Sequence, residues 1–551
     1  MRPYVFAILV IGVRAADNCT ATEDAHEIQA QLLSAARAGN SSVIDAAGSG
    51  SVRAARGKDG NTVLHEALYG AYSAMQRGSI EGHLDVIRLS IEKDPKLLAP
   101  EASGPLCPLF HAVSLRVARS LKLLLSSDRD AVAACLRERD TSNRTVLMLS
   151  AMSQASGMAR LFLAHRSGVP KQLRRDLGLA PAAAGSVAPT FAELTRAAGS
   201  RDFVALLDAG ASPWDRDGLG RTVLDVAAME GRLDVVRTIM DRVEKGVVST
   251  PPEFGSQSMA GQWSAQQVAE IAGFSDIAEL LAAVPGAPSS AGRSAETKNV
   301  TPSDGWEHRP SGGWSLSTAA ASFDVSRCDI DVLQCEDLHG AEFNASFLAP
   351  MRPVLLAGCA RGWPAQERWS REGLVERYGH VKVQVGPIAF PETYGLPGRR
   401  SSLADVVAAA ERAAAHPPPA PEPPLFAFDN KIATSTGNKI HDDYTAPHVV
   451  PNSPPVLTEF SLGPPLSGAN MHFHGAVFTG LVHGRKRWAL LRPADAYFST
   501  TPVREWLDSE AGRHPRLLHC IQRAGDVMFV PRNWGHAVMN LQTAVGVVNE
   551  Y

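Results

Sequence analysis

Two patterns of apolar positions divide the chain. In the first half they recur at helical spacing in short paired runs. Asn61-Thr-Val-Leu-His-Glu-Ala67 opens one unit, which continues to Gly82-His-Leu-Asp-Val-Ile-Arg88. Arg221-Thr-Val-Leu-Asp-Val-Ala227 opens another, continuing to Gly231-Arg-Leu-Asp-Val-Val-Arg237. Val268–Gly273 matches Val226–Gly231 at an offset of 42. Weaker copies begin near Pro108–Ala112 and Thr145–Leu149, and another runs from Phe191 through Asp202–Leu207 to Ala211. From about residue 322 the pattern changes to short, mostly apolar strands separated by turn residues: 353–357, 381–385, 477–482, 487–491 and 527–530. An Ala-rich helix is expected at about 402–415, followed by a Pro-rich loop at 416–424 and a strand at 425–428.

The paired units resemble ankyrin repeats, in which a turn precedes two short antiparallel helices. The resemblance covers about residues 26–285, with His26–Ala47 as an N-terminal cap. One such unit cannot bury its apolar face alone, so neighbours stack into a solenoid. The resemblance implies a surface for a protein partner or substrate. From 286 to 321 the chain is rich in Gly, Ser, Pro and Thr without apolar period, and reads as a disordered linker.

Composition adds limits. The formal charge of the 551 residues is −3, which gives no basic field for nucleic acid. The start, MRPYVFAILVIGVRAAD, has Arg2, an apolar run of ten from Tyr4 to Val13, and then Ala15 and Ala16 after Arg14. A bilayer span takes about 20 apolar residues, so residues 1–16 read as a signal peptide and no membrane span is expected. Candidate N-glycosylation sequons stand at Asn18, Asn40, Asn143, Asn299 and Asn344. The seven Cys include no C-x-x-C, and an oxidising lumen would let some of them pair. The address expected from these features is the secretory pathway, either the ER lumen or outside the cell.

Eleven of the 17 His lie from residue 322 onward. Asn470-Met-His472-Phe-His474-Gly carries two at i and i+2, which share one face if the segment is a strand. A third lies in Gly525-Asp-Val-Met-Phe-Val-Pro531-Arg-Asn533-Trp-Gly-His536-Ala-Val-Met-Asn540, where a strand, a turn and a returning strand would present it. Three neutral imidazoles suit Fe(II) and also Zn(II), Ni(II) or Cu(II).

This pair of motifs is similar to that of the cupin superfamily. More narrowly, Gly525-Asp526, Phe529-Val-Pro531 and Trp534-Gly-His536 resemble the JmjC domains, which are Fe(II)- and 2-oxoglutarate-dependent dioxygenases. Val482-His-Gly-Arg-Lys-Arg-Trp488 resembles the strand after the first iron ligand in that family. Cys520 shortly before the last motif extends the similarity to the ER-lumenal JmjC-domain-containing protein 8 group. The resemblance implies a multidomain chain: an all-α ankyrin solenoid, then an all-β double-stranded β-helix (a cupin/JmjC jelly roll) with helical additions over 322–551. It implies Fe(II) at His472 and His536, with His474 as third ligand where active members place Asp or Glu. It implies 2-oxoglutarate as cosubstrate, its distal carboxylate on Lys486. Ala469 stands where many members have a hydroxyl residue for the cosubstrate, and Asn470 is the candidate substitute. Phe478 and Thr479 stand where a metal-binding cupin often supplies Glu. Asn540 is expected to hydrogen-bond the neighbouring loop behind the ligands. Trp488 and Trp534 are expected in the core, and His483 and Arg485 toward solvent.

Three functions remain open on these residues. One is a protein hydroxylase with an altered ligand triad. The second is a non-catalytic JmjC-like scaffold whose ankyrin array recruits partners. The third is a three-His cupin oxygenase that uses no 2-oxoglutarate.

Overall fold

A computed structural model describes residues 20–75, 79–101, 104–115, 117–152, 201–249, 263–283, 311–316, 327–394, 398–417, 423–450 and 454–551. The expected signal peptide, Asn18, Asn299 and most of the 286–321 linker lie outside these. The chain forms two compact units, one of Met1–Ser150 with Arg201–Ser212, the other of Ala151–Ser200 with Pro213–Tyr551. The division therefore falls ahead of residue 213 and not at the 286–321 linker.

The first unit is helical. The helix Val63–Met75 packs against Thr20–Ala38 and Glu81–Lys93, and further short helices follow at Pro108–Ser114, Ala118–Leu125 and Arg129–Arg137. His65 connects successive turns: the Thr62 N–H donates to its Nδ1 at 3.2 Å, and its Nε2 donates to the Leu106 carbonyl at 2.8 Å. Burial pushes its pKa down to about 4, so it is a neutral structural joint.

A common turn precedes several helices. The Gly57 N–H donates to the Asn61 carbonyl, that of Asp140 to Arg144, and that of Asp217 to Arg221. The third of these turns belongs to the second unit. There Thr222 caps the helix Val223–Met229, its hydroxyl and the Asp225 carboxylate forming a capping box. The helix Leu233–Glu244 and the pair Ala265–Ala272 and Ser275–Ala282 follow.

The rest of the second unit is a two-sheet β-sandwich with helices added to it. Its strands are β1 (Asp331–Gln334), β2 (Val354–Ala357), β3 (Lys382–Gly386), β4 (Arg399–Ser402), β5 (Phe426–Asp429), β6 (Leu457–Gly463), β7 (Gly468–His472), β8 (Val477–His483), β9 (Arg485–Leu491), β10 (Leu518–Arg523), β11 (Val527–Val530), β12 (Gly535–Asn540) and β13 (Ala544–Glu550). Nine form one sheet in the order β1-β2-β11-β8-β13-β6-β5-β3-β4, and four form the other in the order β10-β9-β12-β7. All of the strands expected from the apolar runs are present, and the Ala-rich helix spans Leu403–Ala415.

The pleat sorts side chains to opposite faces. On β6, Phe460 and Leu462 join the apolar core outside the large sheet, while Glu459 and Ser461 line the cavity between the sheets. On β9, Ala489 and Leu491 pack away from the cavity, while Lys486 and Trp488 turn into it. Trp488 and Trp534 are buried as expected. His483 is not toward solvent. It is 5% exposed, lies against Trp314, and burial pushes its pKa down to about 4. Among the described residues there are three disulfides: Cys107–Cys135, Cys328–Cys520 and Cys335–Cys359.

Candidate metal centre

The cavity lies between the two sheets. Its walls include Glu459 and Ser461 from β6, Thr479 from β8, Lys486 and Trp488 from β9, and His536 and Asn540 from β12. His472 ends β7 and stands directly opposite His536 on β12 in the antiparallel register. Their ring centroids are 4.2 Å apart. His474 lies just beyond the end of β7, and its extended surroundings keep it on the same side. Its ring lies 5.1 Å from that of His472 and 4.8 Å from that of His536. One ring nitrogen from each of the three lies within 4.8 Å of the others.

The tautomers are fixed by the backbone. His472 Nδ1 lies 2.7 Å from the Asn470 carbonyl, His474 Nδ1 3.0 Å from that of Gly475, and His536 Nδ1 3.0 Å from that of Trp534. A carbonyl only accepts, so each Nδ1 carries the proton and each Nε2 carries the lone pair. This is how a protein orients histidines toward a metal. Burial, then the neighbouring His472 and His474, hold His536 well below the usual imidazole pKa. Three neutral nitrogen donors in a small cavity fit a first-row divalent ion such as Fe(II). Among the described residues no carboxylate joins this group of three.

Two carboxylates are nevertheless close, and the sequence reading named neither. Glu459 is 4% exposed and lines the same cavity. Glu550, near the end of β13, accepts the Gly475 N–H at 3.0 Å and lies 3.8 Å from His474 Nδ1. The signal for Glu459 was available. It is a charged residue two positions before Ser461 on β6, so the period of two puts both on one face of the sheet.

Lys486 reaches the cavity from β9 and donates to Ser461 Oγ at 2.9 Å. Burial pulls its pKa down to about 8. Asn540 lines the cavity and donates to Ser467 Oγ at 3.0 Å, which ties the 464–467 turn to β12. Asn470 does not join the cavity. Its side-chain amide donates to the Ser499 carbonyl, because the irregular pairing at the end of β7 turns it away. Thr479 lines the cavity, and Phe478 points into the core beyond the large sheet.

Residues 340–551 match the cupin-like domain family. An arginine-specific demethylase of Arabidopsis thaliana, JMJ22, is 30% identical over 238 residues, 38% of this chain and 44% of that protein. JmjC domain-containing protein 8 of Homo sapiens is 26% identical over 242 residues, 42% of this chain and 88% of that protein. The 2-oxoglutarate and iron-dependent oxygenase JMJD4 of Homo sapiens is 25% identical over 249 residues, 38% of this chain and 57% of that protein. The chain thus spans less than half the length of the Arabidopsis relative.

Proposed function

We propose that this chain is an Fe(II)- and 2-oxoglutarate-dependent oxygenase that hydroxylates a protein side chain in the secretory pathway. The observation that carries the reading is the set of three imidazoles whose Nδ1 atoms are anchored on backbone carbonyls, in one cavity with Lys486. The iron relative JMJD4 and the demethylase JMJ22 support it. His472, His474 and His536 would hold the metal, and Lys486 would face the far carboxylate of 2-oxoglutarate. When bound, the metal would activate O2, the oxidant for C–H hydroxylation, with 2-oxoglutarate as the co-reductant. The protein's own part is to fix three nitrogen donors, neutralise a carboxylate and line the cavity with Trp488, Phe426 and Phe428 against water.

The helical units support ankyrin-type repeats that recruit a partner or substrate protein. The common turns before the helices and the Thr222 cap are the features that favour this. A secretory address is supported by the three disulfides and by the exposed sequons at Asn40, Asn143 and Asn344.

A second reading, a three-His oxygenase without 2-oxoglutarate, has one specific observation in its favour. Asn470, the candidate cosubstrate contact, is turned to Ser499. A thermal-shift titration of the full chain separates the two. Mn(II) stands in for Fe(II), with 2-oxoglutarate added or withheld. A ligand at 100 times its Kd stabilises by about 2.7 kcal/mol. Stabilisation by 2-oxoglutarate only in the presence of metal supports the dioxygenase. Stabilisation by metal alone favours the second reading. Neither effect removes both and leaves a non-catalytic scaffold.

A further inference from the structure

Glu230 ends the helix Val223–Met229, far upstream of the cupin-like segment that begins at residue 340. It is 4% exposed. One carboxylate oxygen accepts the Asn533 side-chain amide at 3.0 Å, and the other lies 3.4 Å from Arg532 Nε. Both partners sit in the turn between β11 and β12 that leads to His536.

Asn533 connects this carboxylate to the metal ligands. Its backbone is left-handed, with φ at 67°. In that conformation its N–H donates to the His474 carbonyl at 2.9 Å while its side chain reaches Glu230. The next residue, Trp534, offers the carbonyl that fixes the His536 ring. One buried carboxylate is therefore linked through Asn533 to the backbone of His474 and, through the adjoining Trp534 carbonyl, to the His536 ring. A buried charge is costly unless it is paired and hydrogen-bonded, and here Asn533 and Arg532 serve it.

The helices carrying Glu230 are seated firmly on the sandwich. Arg492 Nη1 donates to the Glu270 carbonyl at 3.1 Å, and Trp263 Nε1 to that of Ala345 at 3.0 Å. The Arg352 guanidinium lies 5.4 Å from the centroid of the Trp263 ring. Residues 213–249 and 263–283 are built onto the domain that holds the site.

We infer that Glu230 is a positioning residue of the metal centre, through which the preceding helices fix the Pro531–Trp534 turn and with it His474 and His536. The inference rests on the metal-binding reading above. It makes part of the repeat region a component of the oxygenase site, not only a recruiting surface.

The test uses the full chain, with Co(II) as the probe and its visible d–d absorption as the readout. Wild type is compared with Glu230→Ala, Glu230→Gln, Asn533→Gly and the double variant Glu230→Ala/Asn533→Gly. Glycine accepts the left-handed backbone and keeps the N–H to His474, so Asn533→Gly removes only the side-chain link. Glu230→Ala should weaken Co(II) binding by about 10–100-fold and alter the spectrum. Glu230→Gln, which retains an acceptor for Asn533, should recover most of the affinity. Asn533→Gly should reproduce the loss, and the double variant should be no worse than either single one. Wild-type affinity and spectrum in both single variants would overturn the inference. If Glu230→Ala does not fold, Asn533→Gly decides alone.

If wild type itself takes up no Co(II), the metal reading fails and the positioning claim is read without metal. Glu230→Ala must then speed amide exchange at residues 533–536 while β13 stays protected. Unchanged protection there would sink it.

Discussion

His472 and His536 are cross-strand neighbours, paired in register between β7 and β12 with ring centroids 4.2 Å apart. Residues 64 positions apart in the chain are thus set side by side by backbone hydrogen bonds. A preorganised site of this kind binds its ion without reorganising the fold. Chelation should therefore lower the Tm of wild type while leaving its circular dichroism unchanged. His472→Ala and His536→Ala should lose the Mn(II)-dependent rise in Tm altogether. At Mn(II) near 100 times the wild-type Kd that rise corresponds to about 2.7 kcal/mol. A His536→Ala variant that Mn(II) still stabilises as well as wild type would contradict the assignment.

Lys486 gives a pH signature. Its folded pKa, about 8, lies below the ordinary lysine value because burial disfavours the charged form. The unfolded chain therefore binds more protons between about pH 8 and 10.5, and folding stability attributable to this group rises with pH across that window. The full effect is about 3 kcal/mol. Lys486→Met should flatten this rise and should not destabilise the protein at pH 7. It should also abolish any 2-oxoglutarate-dependent stabilisation while leaving metal binding intact. Wild-type 2-oxoglutarate affinity in Lys486→Met would refute the carboxylate-pairing role.

Asp526 behaves in the opposite sense. Its carboxylate accepts the backbone N–H of Gly358 at 3.0 Å and of Arg523 at 2.9 Å, yet burial raises its pKa to about 6. The folded state then holds its proton more tightly than the unfolded chain. Stability from this group is present below about pH 4 and is lost as pH rises through about 6, a span of about 3 kcal/mol. Asp526→Asn removes that dependence and sets an NH2 group against one of the two donors, a cost of about 1–3 kcal/mol. Urea titrations at pH 4 and pH 7 for both proteins measure the difference.

The disulfides Cys328–Cys520 and Cys335–Cys359 should appear as linked peptides in a non-reducing digest. Cys328 joins the segment before β1 to β10 across 192 residues of chain. Reduction, or Cys328→Ser with Cys520→Ser, should therefore destabilise the domain by about 2–4 kcal/mol. A Tm that does not respond to reductant would argue that the bridge is not formed in the protein as made.

The strands around the site were legible because β2, β8, β9 and β11 are apolar runs bounded by turn residues, and the three His stood in motifs with fixed spacing. What could not be read was cross-chain. Periodicity says nothing about which residue sits opposite Glu230, so nothing in the sequence singles out this helix-terminal glutamate. His483 was misplaced for a related reason: the Gly312–Trp314 segment that lies over it belongs to a stretch with no pattern of its own. Asn470 was offered as a substitute for the hydroxyl residue that the family resemblance places at Ala469, and the irregular register of β7 with β12 is not visible in the sequence.

The strand order has a consequence for how the domain is made. β11, β12 and β13 are all interior strands: β11 lies between β2 and β8, β13 between β8 and β6, and β12 between β9 and β7. A ribosome delivers them after every strand they must join. Until residues 527–550 emerge, β2, β6, β7, β8 and β9 each lack a neighbour, and their open edges are templates for pairing with other chains. Closure of both sheets therefore waits for the last three of these strands and is dominated by long-range contacts, which makes it slow. During that interval the nascent sandwich is exposed to aggregation, and loss of β11 to β13 should yield an aggregating chain, not a smaller domain.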